Sequence, residues 1–203
     1  MPTSEAVEKL VGKQWLTKNG YISKSGEFVP KMLEVCSPDV FLFQLLRITE
    51  LSIRNTICVN LQNWATDKDP DKFWWDLIPC SEGAKKKIAI AKRRTPDKIL
   101  DSLSIPHELS LSFWTQLFAG YHEHKVWIPT LQGAFPHCTP KDFERRRFIE
   151  AHLRKVTNAR NRVAHHKPMT PEDIHRLERI CIKILSWIDP GSANWAANYY
   201  RIS

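Results

Sequence analysis

Hydrophobic positions recur along this chain at helical spacing and almost nowhere at the two-residue spacing of a strand. Ile174, Leu177, Cys181, Ile184, Leu185 and Ile188 fall on one stripe of a helix, and Asp189-Pro190-Gly191 ends it. The longest apolar segment, DVFLFQLLRITELSIRNTICVNLQNW from Asp39 to Trp64, is hydrophobic on nearly every side. A helix of that kind belongs in the middle of a bundle, where neighbours cover it all round. Further helices are predicted at about 82–94, 96–103 and 107–120, and from Pro140 through Val163.

The polar punctuation agrees. Ser37-Pro38-Asp39, Thr95-Pro96-Asp97, Thr139-Pro140-Lys141-Asp142 and Thr170-Pro171-Glu172-Asp173 each combine a capping hydroxyl, a proline and a carboxylate. The hydroxyl accepts from free amides, proline suits the first helical position, and the carboxylate meets the positive end of the helix dipole. No alternating stretch exceeds four residues, and no repeat or low-complexity tract intervenes. NGYISKSGEF has turn chemistry, so residues 1–37 read as an N-terminal arm or extension. Residues 38–203 read as one all-α bundle with a long, buried central helix.

Composition narrows the class. Of 203 residues 42% are hydrophobic, with eight tryptophans, enough for a real core. Thirty Lys and Arg against 22 Asp and Glu give a formal charge of +8, which favours a polyanionic partner, nucleic acid before membrane. Five scattered cysteines with no CxxC pair fit reduced thiols and a cytoplasmic location. His122, His124 and His137-Cys138 match no zinc-ligand spacing, and no P-loop is present. MPTSEAVEKL has no apolar signal core, and no run approaches 18 apolar residues; a soluble, unexported protein is expected.

Some polar residues stand where apolar ones belong. Arg47, Glu50 and Arg54 form one narrow line on the central helix. Ionisable groups on a buried helix must pair or line a wet cavity; an intrahelical Glu50–Arg54 bridge is the simplest account. On the helix from Pro140, Ile149, Leu153, Val156, Arg160 and Val163 share one stripe, which puts Arg160 on the apolar face. An arginine there needs a carboxylate or a phosphate, because its charge is hard to remove. His165 lies five residues on, about 140° away in azimuth on a continuous helix. Pro168 disfavours helical geometry at Lys167, so the chain is expected to leave the helix near His165 and His166.

RNRVAH, Arg160 to His165, resembles the R-x4-6-H motif of the HEPN superfamily of RNases in its form with Asn after Arg; His166 fits the five-residue spacing. ELSIRN, Glu50 to Asn55, resembles the first-helix signature of the Abi-like, abortive-infection branch. LSLSFWTQLFAGYHEHKVWIPTLQGAFP, Leu109 to Pro136, resembles the aromatic middle stretch of that branch. The resemblance spans about residues 38–188. The bare arginine–histidine spacing is weak, since Arg145, Arg146 and Arg147 also match it with His152; the combination carries the likeness.

The resemblance implies a helical-bundle homodimer with a composite active site, and RNA cleavage without metal or other cofactor. Arg160 would hold the scissile phosphate. His165 would be the general acid–base; His166 is its rival. The RNA 2′-OH would attack, leaving a 2′,3′-cyclic phosphate. Asn161 would orient the motif, and Glu50, Arg54 and Asn55 would line or brace the cleft. The implied role is a toxin of an abortive-infection, toxin–antitoxin type of phage defence, restrained by a small-RNA or protein antitoxin. Two other readings stand beside it: a catalytically silent HEPN module that binds RNA or a partner protein, and a dimeric helical scaffold.

Lys85, Lys86 and Lys87, with Lys92, Arg93 and Arg94, are candidates for tracking an RNA backbone. Arg145, Arg146 and above all Arg147 could steer RNA to the cleft. In WAANYYRIS at the C-terminus, Trp195 and Tyr199 are expected to dock onto the bundle.

Overall fold

A computed structural model describes residues 36–95, 104–139, 143–165 and 167–200. Helix α1 (Cys36–Lys68) is followed by α2 (Trp74–Leu77), α3 (Glu82–Arg94), α4 (Ser104–Glu108) and α5 (Leu111–Gln116). An irregular helical stretch comes next: 3-10 turns at Gly120–His122 and Gln132–Ala134 flank a π-helix at Glu123–Leu131. The long α6 (Phe143–Ala164), α7 (Pro171–Ile188) and α8 (Pro190–Tyr200) complete the chain. No strand occurs among the described residues, and none of their helices is long and apolar enough to cross a membrane. The predicted arm and the segment 96–103 lie outside the described residues.

The fold is built around α1, which packs against α2, the π-helix, α5, α6, α7 and α8. Leu42, Leu45, Leu46, Ile53, Ile57 and Leu61 are buried along it, and α7 brings Ile174, Leu177, Cys181, Ile184 and Leu185 to the same core. Yet α1 is not covered all round: Phe41, Phe43 and Val59 are about half exposed (50%, 49% and 57%). Its apolar pattern is wider than the surface its neighbours cover. The aromatic end of the same core joins α2 to α5, where Trp74 meets Trp114 at 5.6 Å between ring centroids and Phe113 meets Trp114 edge-on at 5.0 Å.

Local chemistry explains the helix ends. Thr170 caps α7 by accepting the Asp173 amide at 3.2 Å, with Pro171 in the first turn. Asp189 ends α7, and α8 begins at once from Pro190. The helix predicted at about 107–120 is instead two, α4 and α5, because the chain is extended at Ser110. The π-helix has no signature in the sequence; Pro129, whose ring clashes with the preceding turn of an α-helix, sits inside this wider coil. On α8, Ala193 and Ala196 make the buried contact, whereas Trp195 and Tyr199 stack on each other in the open, correcting the expectation that they dock.

Four described cysteines are free and buried, and burial pushes the Cys58 and Cys181 thiols up to about 12. The His122 ring is also buried, with neither nitrogen hydrogen-bonded, and desolvation lowers its pKa.

The most deeply buried cation of α6 is Arg146, only 3% exposed. It bonds the Phe118 carbonyl and Glu150 (2.8 Å) and lies 3.5 Å from Glu123, pinning the start of the irregular stretch to α6. Removing one partner of a buried ion pair leaves the other uncompensated. Arg146→Ala is therefore expected to destabilise the fold by about 3 kcal/mol in urea unfolding; a loss below about 1 kcal/mol would show that water replaces the guanidinium without penalty.

Candidate functional site

The C-terminal half of α6 carries the candidate site. Ile149, Leu153 and Val156 are fully buried on one stripe, and Arg160 continues that stripe toward the helix end, with 42% of its side chain exposed. Its Nε donates to Glu50 Oε2 on α1 at 3.4 Å, across 110 residues of chain. This contact brings ELSIRN and RNRVAH together in space. No Glu50–Arg54 bridge forms; Glu50 turns to Arg160 instead. The contact is long and engages Nε alone, so the Nη groups keep their donors.

Arg54 lies one turn along α1 from Glu50, half-buried, and its buried Nε finds no acceptor. A cationic donor removed from water without a partner is costly, and an anion is the partner that suits it. Arg47 and Asn55 stand exposed on the same helix.

The end of α6 decides the position of the histidine. The His165 amide donates to the Asn161 carbonyl at 3.1 Å, so the helical track continues to His165. The Lys167 amide then reaches back to the Arg162 carbonyl at 2.9 Å, and Arg162 Nη2 bonds the Pro168 carbonyl at 2.6 Å. A six-to-one bond of this type closes a helix C-terminus. The helix thus ends where Pro168 predicts, but without a kink that swings His165 round to Arg160. Asn161 and His165 are exposed, more than a quarter of a turn from Arg160. One chain accordingly joins Arg160 to Glu50 and leaves His165 on another side of the helix. His166 lies outside the described residues.

The basic candidates divide. On α3, Lys85 pairs with Glu82 (2.8 Å), Lys92 with Asp76, and Arg94 approaches Glu108 at 3.9 Å. Lys86 and Arg93 are exposed without a carboxylate partner among the described residues, and Lys87 bonds Gln116 Oε1 at 3.2 Å. In the Arg145–Arg147 run, Arg145 bonds the Phe135 carbonyl and Arg146 is buried, so of the three Arg147 alone is exposed without a partner among the described residues.

Two features escape sequence reasoning. Arg146 is the buried arginine that the apolar-face argument sought at Arg160; it precedes the Ile149–Leu153 stripe by one turn, a signal that was present. The other is a polar cleft of about 350 Å³ between α3, α5 and α6, lined by Lys87, Gln116, Tyr121, Arg154, Thr157 and Asn158 among others. No motif marks it, although Arg154, Asn158, Asn161 and His165 recur at helical spacing on one exposed line of α6.

Comparison with known proteins gives no match: no protein-family model, no curated protein and no solved structure matches this chain.

An ion pair as long and as exposed as Glu50–Arg160 contributes little to folding. A double-mutant cycle with Glu50→Gln and Arg160→Gln, read by urea unfolding, is expected to give a coupling below about 1 kcal/mol. A coupling of about 3 kcal/mol would make the pair a structural tie and leave Arg160 no donor role.

Proposed function

We propose that this chain is a metal-independent endoribonuclease of the HEPN type, acting as a homodimer with a composite active site. The observation that carries the proposal is the Glu50–Arg160 contact. Two segments that resemble the family independently meet there, at the end of a helix whose remaining motif residues are open to solvent. The unpaired Nε of Arg54 one turn away adds a second cation in want of an anion.

In this reading Arg160 gives its Nη donors to the non-bridging oxygens of the scissile phosphate while Glu50 fixes the guanidinium through Nε. Charge developing on the phosphate is met by donors already in place. His165 takes the proton of the 2′-OH as that oxygen attacks phosphorus. The bond from phosphorus to the 5′-oxygen breaks, the departing oxygen is protonated, and a 2′,3′-cyclic phosphate remains. Charge stabilisation and proton transfer suffice for this step. Because His165 and Arg160 face different sides of α6, the pair that acts on one phosphate comes from two chains. Asn161 orients the motif, and Arg54 and Asn55 brace the cleft. By the same resemblance the enzyme is a cytoplasmic abortive-infection toxin held in check by a small-RNA or protein antitoxin.

One observation favours a second reading, a silent HEPN module that binds RNA or protein: a single chain does not assemble arginine and histidine together. Incubation with total RNA in EDTA separates the two. Cleavage is expected from the parent protein, leaving cyclic-phosphate ends, with rates at least about a hundredfold lower for Arg160→Ala and His165→Ala. Intact RNA beside folded parent protein, or cleavage that survives both substitutions, would overturn the nuclease assignment.

A further inference from the structure

We propose that the cleft between α3, α5 and α6 is an RNA-binding subsite that receives the strand before it reaches His165. This assignment rests on the nuclease reading for its purpose, but its geometry stands apart from the Arg160–Glu50 contact. Lys87 enters from α3 and Arg154 from α6, and no carboxylate lines the space. Its volume, about 350 Å³, lies in the range of sites that take a small-molecule-sized group, such as one nucleotide.

The lining is built rather than accidental. Buried Thr115 and Thr157 hydrogen-bond at 2.8 Å and fix α5 to α6 at its floor. Gln116 is held between Lys87 Nζ (3.2 Å) and the Tyr121 hydroxyl (2.8 Å), so three lining side chains are ordered as a unit. Arg154 is clamped by Glu150 Oε1 through Nε (3.0 Å) and Nη2 (2.7 Å). Glu150 shares its charge with Arg146, and the Arg154 Nη1 donors are left for another acceptor. Tyr121 offers an aromatic face, 58% exposed.

Each element suits a nucleotide. Lys87 and Arg154 supply two cations for phosphates, Tyr121 a stacking surface for a base, and the Gln116 and Asn158 amides donors and acceptors for a base edge. The direction follows from helix geometry. Asn158, Asn161 and His165 continue the line of Arg154, and Asn158 and His165 are separated by about 10 Å along the axis. A single strand lying in the cleft would therefore run along α6 to the candidate acid–base. This explains why α6 is polar on a face that its buried stripe leaves unused.

Binding of a single-stranded oligoribonucleotide, followed by fluorescence anisotropy across a salt series in EDTA, tests the assignment. The His165→Ala background keeps the RNA intact, so binding is read separately from cleavage. Lys87→Gln with Arg154→Gln is expected to weaken binding by about tenfold or more and to reduce the salt slope by about 1.4, the share of two phosphates on a single strand. Tyr121→Ala alone is expected to weaken it about fivefold, with the salt slope unchanged. Arg176→Gln with Lys183→Gln, an equal loss of charge elsewhere, is expected to leave affinity within about twofold, which separates the cleft from general basicity. Unchanged affinity and slope in the cleft variants would overturn the subsite even if the parent protein cleaves RNA. So would absence of RNA binding by the folded parent, or displacement of the strand by equimolar nucleoside monophosphate, which would make the ligand a free nucleotide. Weakened binding in the cleft variants sustains the subsite even if no cleavage is found, and that combination would overturn the nuclease reading alone.

Discussion

An arginine facing the interior of a protein cannot shed its charge, and α6 turns Arg146 and Arg160, besides Arg145, toward its neighbours. Arg146, near its start, is enclosed and its charge is met by Glu150, Glu123 and the Phe118 carbonyl, although its Nε makes no hydrogen bond. That network fixes the register between α6 and the irregular stretch after α5, and through Glu150 it also orders Arg154 at the cleft. Arg160, near the end, receives a single long contact from Glu50 and stays partly open. One helix thus uses the same residue type in two ways. Where carboxylates and a carbonyl surround the guanidinium it ties α6 to the fold, and where a single long contact reaches it, its Nη donors stay open.

The location of the undersaturated arginine is set by packing. The buried core of α6 thins after Val156 to Ala159 and the partly covered Val163, and there Arg160 meets α1 through Glu50. Glu50 is the residue of α1 that reaches this region, and Arg54 follows it by one turn with an unpaired donor. On the proposed reading, an anion approaching here would meet two arginines, Arg160 with open Nη donors and Arg54 with an unpaired Nε. The clean closure of α6 by the Lys167 and Pro168 contacts keeps His165 in a fixed position relative to the helix, though not beside Arg160. On the proposed reading, a single chain carries the two halves of the chemistry on two sides of one helix, an arrangement that works when two helix ends face each other.

Much of the architecture was legible in the residues. The cap sequence at Thr170, the stripe on α7 and the basic helix at Glu82–Arg94 are local patterns whose physics is complete within a few residues. The break at Ser110 and the π-helix were not legible, because they arise from fitting the aromatic stretch between α1 and α6. The extent of cover on α1 was also misjudged: hydropathy gives the width of an apolar surface but not how many neighbours arrive, and Phe41, Phe43 and Val59 stay exposed. At the site, Arg160 and Glu50 were singled out from misplaced polarity, but their mutual contact was not, since pairing within α1 was equally allowed by spacing. The cleft residues come from three helices and the 3-10 turn that carries Tyr121, and have no common sequence signal.

Mixing Arg160→Ala protein with His165→Ala protein, each inactive alone, tests the composite site most directly. If Arg160 of one chain works with His165 of the other, half of the randomly formed dimers hold one intact pair, and about one quarter of the parent RNase activity should return. Mixed dimers that form, as seen by tag exchange, yet recover no activity would contradict the account.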